Sequence, residues 1–277
     1  MKYFTLNCKG KLLTIDSPIV MAILNVTPDS FFDGGKYTNE KSILLQAEKM
    51  LNDGATIIDI GGMSTRPNAE IISEDEELKR IIEPIKSIHR HFPEAILSID
   101  TFRSKVAEEA VLHGVSIIND ISGGTEDEHI FKIAAKYTCP LILMHKQGTL
   151  QTMHKEKNYE NLLTDILDYF IVQTNKASDF GIKDVIIDVG FGFSKTIEQN
   201  YALLKNLNVF TQLEKPVIAG LSRKSMLYKT LNVTSENALN ATSIANTIAL
   251  QNGASILRVH DVKEAMECVQ IWKMMNG

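Results

Sequence analysis

No apolar run in the chain approaches the roughly 20 residues needed to cross a bilayer, so helical membrane proteins are excluded. The first residues, MKYFTLNCKGK, lack the apolar core of a secretory leader, and a cytoplasmic location is expected. Cysteine is scarce. Cys8, Cys139 and Cys268 are odd in number, far apart and without metal-ligand spacing, which argues against a disulfide framework and a zinc site and fits a reducing compartment. No basic block stands out, and a net charge of −5 leaves no electrostatic footprint for nucleic acid. No low-complexity stretch or composition shift marks a linker. Spacing assigns no Ser-His-Asp or Cys-His set for nucleophilic catalysis, and no cluster of His and carboxylates for a tightly held transition metal.

What is present points to one large domain. Hydrophobic residues at 44% and charged residues at 23% are ordinary for a globular protein, and 277 residues come close to the roughly 250 of an eight-fold barrel. Eight short apolar runs each lead to a residue that apolar packing would not choose. Residues 19–24 lead to Asn25, 56–58 to Asp59, 95–99 to Asp100, 116–118 to Asn119, 141–144 to His145, 185–187 to Asp188, 217–220 to Ser222, and 255–257 to Arg258 and His260. Runs of this length, rich in Ile, Val and Leu, read as strands buried on both faces of a parallel sheet. The polar residue then stands at the carboxyl end of its strand, where parallel α/β folds bind ligands.

Helical patterns separate the runs, at 42–51, 76–91, 104–113, 127–137, 159–180, 197–207, 238–251 and 262–274. In several of them apolar residues recur at three- and four-residue spacing, as in Leu162, Ile166, Tyr169 and Phe170. Alternation alone permits a barrel or an open doubly wound sheet. The open sheet would carry a Gly-x-Gly-x-x-Gly turn after its first strand, and none follows any strand here. Polar endings on every strand favour a closed (β/α)8 TIM barrel spanning residues 1–277 as a single domain. An N-terminal β-hairpin, 3–6 and 12–15 around Asn7-Cys8-Lys9-Gly10, is expected to plug its amino-terminal end. The segments 27–37, 64–75 and 146–158 are long enough to serve as lids.

Several residues carry chemistry. Asp100, Asn119 and Asp188 close three apolar strands, and a carboxylate there needs a donor-rich partner. A flat heterocycle with adjacent N–H groups would supply one; taken singly, each Asp is explained as well by a loop cap or a Lys or Arg partner. Arg258 and His260 on the last strand meet Asn25, Ser64 and Thr65 on the first two, a group suited to diphosphate, with Asn25 as an oxygen ligand for Mg²⁺. Standing alone, His260 reads better as a core imidazole. Arg66, Lys195, Arg223, Lys224 and Arg258 all follow strands and could focus an anion, or be solvated loop charges. Ser222-Arg223-Lys224-Ser225 is expected to open a helix whose free N–H groups face the mouth. Phe31, Phe32, Phe191 and Phe193 suit stacking on an aromatic substrate about as well as loop packing. The pairs Gly34-Gly35, Gly61-Gly62 and Gly123-Gly124 read as tight turns rather than phosphate cradles.

Taken in order, these motifs resemble the dihydropteroate synthases. The resemblance is carried by Ile23-Leu24-Asn25-Val26-Thr27-Pro28-Asp29-Ser30-Phe31, Asp59-Ile60-Gly61-Gly62, Ser64-Thr65-Arg66-Pro67, Ser98-Ile99-Asp100-Thr101 and Ile118-Asn119-Asp120-Ile121-Ser122-Gly123-Gly124. It continues through Leu143-Met144-His145, Gly190-Phe191-Gly192-Phe193-Ser194-Lys195, Ser222-Arg223-Lys224-Ser225 and Arg258-Val259-His260-Asp261, from first strand to last helix. The resemblance implies a Mg²⁺-dependent transferase of folate synthesis, a sulfonamide target. Such enzymes join 6-hydroxymethyl-7,8-dihydropterin diphosphate to p-aminobenzoate and release diphosphate. It also implies roles: Asp100, Asn119, Met144, Asp188 and Lys224 for the pterin, and Asn25, Thr65, Arg258 and His260 for diphosphate, with Mg²⁺ on Asn25. Phe31, Ser64, Thr65, Arg66, Phe193, Lys224 and Ser225 would hold p-aminobenzoate, and Asp100, Lys224, Arg258 and His260 would carry the chemistry.

Four positions depart from the family pattern. Met63 stands where Glu is common, Val189 where Pro is usual, Lys146 where Met is frequent, and Phe32 beside Phe31 where a small residue is expected. The rival readings are a pterin-binding methyltransferase domain, against which Ser64-Thr65-Arg66-Pro67 and Ser222-Arg223-Lys224 speak, and a non-catalytic pterin-binding barrel. The family resemblance implies a homodimer, for which Met226, Ile248, Met266 and Trp272 offer apolar contact or, equally, core. No nucleic acid or membrane partner is expected.

Overall fold

A computed structural model describes residues 2–26, 36–63, 71–149, 151–153, 155 and 158–276, with side chains from 40 onward in the first helix. The chain opens with two antiparallel strands, β1 (Phe4–Cys8) and β2 (Lys11–Ile15). Cys8 pairs with Lys11, so Asn7 and Cys8, expected in the turn, belong to the strand. Lys9 and Gly10 alone make the turn with φ of 55° and 94°, the left-handed pair that matches hairpin twist. Asn7 N–H donates to Asp184 at 2.7 Å and Lys9 Nζ to the Val111 carbonyl at 2.6 Å, tying the hairpin to the loop before the strand at Val185 and to the end of the helix at Ser104–Leu112.

Eight parallel strands follow and close on themselves. They are β3 (Ile19–Asn25), β4 (Ile57–Gly61), β5 (Ile96–Asp100), β6 (Ile117–Asp120), β7 (Leu141–Met144), β8 (Val185–Asp188), β9 (Val217–Ala219) and β10 (Ile256–Val259). β10 pairs with β3 to complete the ring. Successive residues of a strand point to opposite faces, which divides the core into two. Outward residues such as Val20, Ala22, Ile58, Leu97, Leu143 and Ile187 pack under the helices. Inward residues Met21, Ile57, Ile96, Ile117, Ile142, Ile186, Ile218 and Ile256 form a second cluster with Leu6, Cys8, Leu13 and Ile15 of the hairpin. The hairpin therefore plugs the amino-terminal end, as expected.

The helices that connect the strands are α1 (Lys36–Asn52), α2 (Glu74–His91), α3 (Ser104–Leu112), α4 (His129–Tyr137), α5 (Leu162–Asp179), α6 (Ile197–Lys205), α7 (Ser225–Thr230), α8 (Leu239–Gln251) and α9 (Val262–Asn276). α2 begins before the apolar period does because the Ser73 hydroxyl caps Glu76 N–H, and four acidic residues, Glu74 to Glu77, fill its first turn. Asn206 ends α6 early, and Leu207–Leu213 continues as a 3₁₀ helix. α7 starts only at Ser225. Ser222 to Lys224, expected in the helix, form a turn in which Arg223 has φ of 56°. Among the described residues no helix is long and apolar enough to cross a membrane.

Candidate active site at the barrel mouth

Two residues beyond each inward isoleucine, the chain faces inward again, one layer higher. Ile57, Ile96, Ile117, Ile142, Ile186, Ile218 and Ile256 give way to Asp59, Ser98, Asn119, Met144, Asp188, Gly220 and Arg258. An apolar floor thus carries a polar layer, and charges in it are costly unless paired.

Arg258 holds that layer together. Its Nε donates to Asp59 Oδ2 at 2.7 Å and its Nη2 to Asp100 Oδ2 at 2.6 Å, while Asn119 Nδ2 donates to the same Asp59 oxygen at 2.9 Å. Asp59 is fully buried, and its Oδ1 has no partner among the described residues. Burial drives the Asp100 pKa up to about 7, with Asp59 adding repulsion and Arg258 opposing both. Burial works against the Arg258 charge too, but Asp59 and Asp100 outweigh it and hold the guanidinium firmly protonated. Asp188 is likewise raised by burial, against the Gly190 N–H that its Oδ1 accepts at 2.8 Å; its Oδ2 has no hydrogen bond among the described residues.

Across the mouth, the Lys224 ammonium sits 4.2 Å from the centre of the Phe193 ring, a cation–π contact. A side chain at Gly192 would meet Lys224 Cδ at 3.1 Å, so the glycine lets the lysine lie flat over the β8–α6 loop. Burial lowers its pKa to about 8, with Asp188 pulling the other way. Ser222 accepts the His260 N–H at 3.2 Å, and its hydroxyl lies 3.0 Å from His260 Nδ1. One wall is apolar: Met63, Phe102, Ile121, Met144, Met153 and Phe193 pack together, with Ile72 against them.

Asn25 and Asp100 flank Gly61, where a Cβ would lie 3.5 Å from Asn25 Oδ1 and 3.9 Å from Asp100 Oδ2. The Asn25 amide makes no hydrogen bond among the described residues. One uncommitted amide oxygen above a bare glycine suits a hard cation that takes its other ligands from phosphate and water, and so fits Mg²⁺.

The barrel brings together Asn25, Asp100, Asn119, Met144, Asp188, Phe193, Ser222, Lys224, Ser225, Arg258 and His260 at its carboxyl end. Phe31, Phe32, Gly34, Gly35, Ser64, Thr65 and Arg66 lie outside the described residues. Four post-strand residues do not serve the mouth as free groups, and for the cations and Phe191 the structure decides between readings that the sequence left open. His145 does not face the mouth: by strand alternation it follows outward Leu143, and its ring packs edge-on against Tyr169 at 4.9 Å. Lys195 and Arg223 are not free cations. Lys195 is buried and donates to His145 Nδ1, Gly190 O and Phe193 O, each at 3.1 Å, while Arg223 grips Asp261 with Nε and Nη2 at 3.0 and 2.8 Å. Phe191 is buried in the core outside the barrel and offers no stacking face. The pair Gly123-Gly124 is a tight turn, as read, fixed by the Asp120 carboxylate accepting Ser122 and Gly124 N–H.

Of the departures, Met63 joins the apolar wall and Val189 is fully buried. Lys146 is buried and donates to Glu126 at 3.0 Å and to the Gly148 carbonyl at 2.8 Å. Sequence reading missed the part played by Asp59, as anchor of Arg258 and Asn119. The isoleucine-to-polar step at a spacing of two was the signal.

Residues 21–260 match the family model for "Pterin binding enzyme". The dihydropteroate synthase of Haemophilus influenzae is 42% identical over 97% of this chain and 98% of its own, and that of Bacillus subtilis 42% over 95% and 89%. Among solved structures, a Yersinia pestis dihydropteroate synthase in complex with a sulfonamide drug superposes with a TM-score of 0.92 at 40% identity, covering 99% of both chains. The Xanthomonas albilineans enzyme with 7,8-dihydropteroate gives 0.88 at 31%, again with 99% of each covered. With the barrel, its polar layer and these relatives in agreement, the chain belongs to the pterin-binding enzyme family and, within it, to the dihydropteroate synthases.

Proposed function

We propose that the mouth condenses 6-hydroxymethyl-7,8-dihydropterin diphosphate with p-aminobenzoate by arranging charge around a departing diphosphate, not by offering a nucleophile. The observation that carries this reading is the Asp59–Arg258–Asp100 bridge, which sets a fixed cation beside an acceptor layer above an apolar floor.

The pterin's ring donors would face Asp100, Asp188 and Asn119, with Met144 against its plane. Diphosphate would extend to Asn25, Arg258, His260 and Thr65. As the methylene C–O bond breaks, its electron pair leaves with the diphosphate, whose charge Arg258 and His260 neutralise. The methylene becomes cation-like, and ionised Asp100 stabilises the positive charge spread into the ring. The p-aminobenzoate nitrogen then forms the C–N bond and gives up one N–H proton to solvent. Ser64, Thr65, Arg66, Lys224 and Ser225 would hold its carboxylate end, and Phe31 and Phe193 its ring. Mg²⁺, held by Asn25, would supply counter-charge to the diphosphate.

Ser222 and His260 form a hydroxyl–imidazole pair at the mouth, but covalent catalysis there makes poor chemistry. A serine ether leaves far less readily than a diphosphate, so the detour would replace an easy departure with a harder one.

Purified protein supplied with the pterin diphosphate, p-aminobenzoate and Mg²⁺ should release diphosphate and dihydropteroate in equal amounts. Methyl transfer from a methylated folate without dihydropteroate formation would refute the reading. We further propose a cytoplasmic homodimer. Ile244 and Ile248 of α8 and Ile271 of α9 are exposed apolar residues, whereas Met226 is core and Met266 and Trp272 pack partly against it. Sedimentation should give twice the chain mass, and Ile248→Glu should shift it towards the monomer.

A further inference from the structure

Ser194 occupies a backbone conformation that favours glycine. Its φ is 54°, where a Cβ crowds the neighbouring carbonyl, yet it is 1% exposed. Nearly everything it can bond with goes to one neighbour, the β7–α5 loop. Its hydroxyl donates to Gln147 O at 2.7 Å, lies 3.0 Å from Met153 O, and accepts Gln147 N–H at 3.0 Å. Its own N–H donates to Met153 O at 2.6 Å, and its carbonyl accepts the Tyr159 hydroxyl at 3.2 Å.

The chain on either side of Ser194 explains why this matters. Phe193 stacks under Lys224 and contributes to the apolar wall, and Met153 packs in the same wall. Lys195 fixes the loop from below through Gly190 O and Phe193 O. Ser194 therefore joins two loops that reach the mouth from adjacent strands, and sets Met153 against Phe193. A glycine would adopt the same φ without strain but could not bind Gln147 at both its N–H and its carbonyl.

We propose that Ser194 is a positioning residue, a latch between the β7–α5 and β8–α6 loops that sets the wall facing the second substrate. It acts through Met153 and Phe193 and touches neither substrate. The inference rests on the assignment of Phe193 to the p-aminobenzoate side.

The test compares Ser194→Gly and Ser194→Ala in the full chain. Both variants delete the hydroxyl, which makes every bond to Gln147, and keep the backbone bonds to Met153 and Tyr159; glycine also relieves the strain, which alanine keeps. Both variants should raise KM for p-aminobenzoate about tenfold, the equivalent of roughly one hydrogen bond's worth of binding. KM for the pterin diphosphate and kcat should stay within about twofold. In hydrogen exchange the Gln147 amide should lose protection in both, while Ser194→Gly melts no lower than Ser194→Ala. If Gln147 keeps its protection in Ser194→Gly, or both KM values rise together, the latch is refuted. Exchange is read without turnover, so an inactive wild type would overturn the functional reading while leaving the latch to be judged on Gln147 protection.

Discussion

Replacing Asp59 with Asn should damage both stability and catalysis, although Asp59 lies beneath the substrate positions proposed here. The change is nearly isosteric but removes one of the two carboxylates holding Arg258. It also sets an amide against two donors, Arg258 Nε and Asn119 Nδ2, which converge on one Asp59 oxygen. Breaking a buried ion pair from one side costs about 3–5 kcal/mol; Asn keeps one acceptor, so about 3 kcal/mol is expected. In a domain this large 1 kcal/mol is worth about 2 °C in Tm, and melting should fall by roughly 6 °C. The cause can be separated from simple disruption by adding Arg258→Met. The double variant then has no uncompensated buried cation, and Asp100, already raised to about 7, can take a proton. Calorimetry should show the double variant regaining more than half the lost stability while remaining inactive, because the cation beside the diphosphate is gone. An Asp59→Asn protein that melts within 2 °C of wild type with unchanged kcat/KM would refute the view that Asp59 fixes Arg258.

The pH profile of kcat/KM should be a narrow bell. Activity falls below about pH 7 as Asp100 is protonated, and above about pH 8 as Lys224 loses its charge, and Lys224→Arg should abolish the alkaline limb. Because Asp100 titrates higher folded than unfolded, the native state holds the extra proton between about pH 4 and 7. Its contribution to stability is present at low pH and declines across that window, visible as a falling urea midpoint unless Asp100→Asn is introduced. Ile15→Ala, in the hairpin plug, should cost about 2–4 kcal/mol in urea unfolding yet leave KM for both substrates unchanged at 15 °C. An altered KM would mean that the plug communicates with the mouth. Arg66→Ala should raise KM for p-aminobenzoate far more than for the pterin diphosphate, and equal effects would remove Arg66 from that subsite.

The barrel was legible because a strand covered on both faces is apolar throughout, so every interruption at its end stands out; Asn25, Asp100, Asn119, Asp188 and Arg258 were found that way. Facing direction was not legible from strand ends alone. His145 and Asp188 both close apolar runs, but His145 falls on the outward phase with Leu143 and Asp188 on the inward phase with Ile186. The floor residues carry the missing phase information, since each inward isoleucine is followed two positions later by a layer residue. Partnering was hidden for a different reason. Arg223 and Arg258 look alike as post-strand arginines, and only the folded chain shows Asp261 neutralising the first in a loop clamp while Asp59 and Asp100 aim the second into the barrel. Ser194 passed unnoticed because its role depends on a backbone angle and on a loop about 40 residues earlier in the chain.

In the proposed reaction, charge placement without a protein nucleophile drives departure of the diphosphate. Intact-mass spectrometry of the enzyme mixed with pterin diphosphate and Mg²⁺, p-aminobenzoate withheld, tests it directly. The protein mass should stay at that of the unmodified chain while pterin and diphosphate exchange freely in the mouth. A stable gain of one pterin-methyl group, mapped by peptide sequencing to Ser222 or any other side chain, would contradict it.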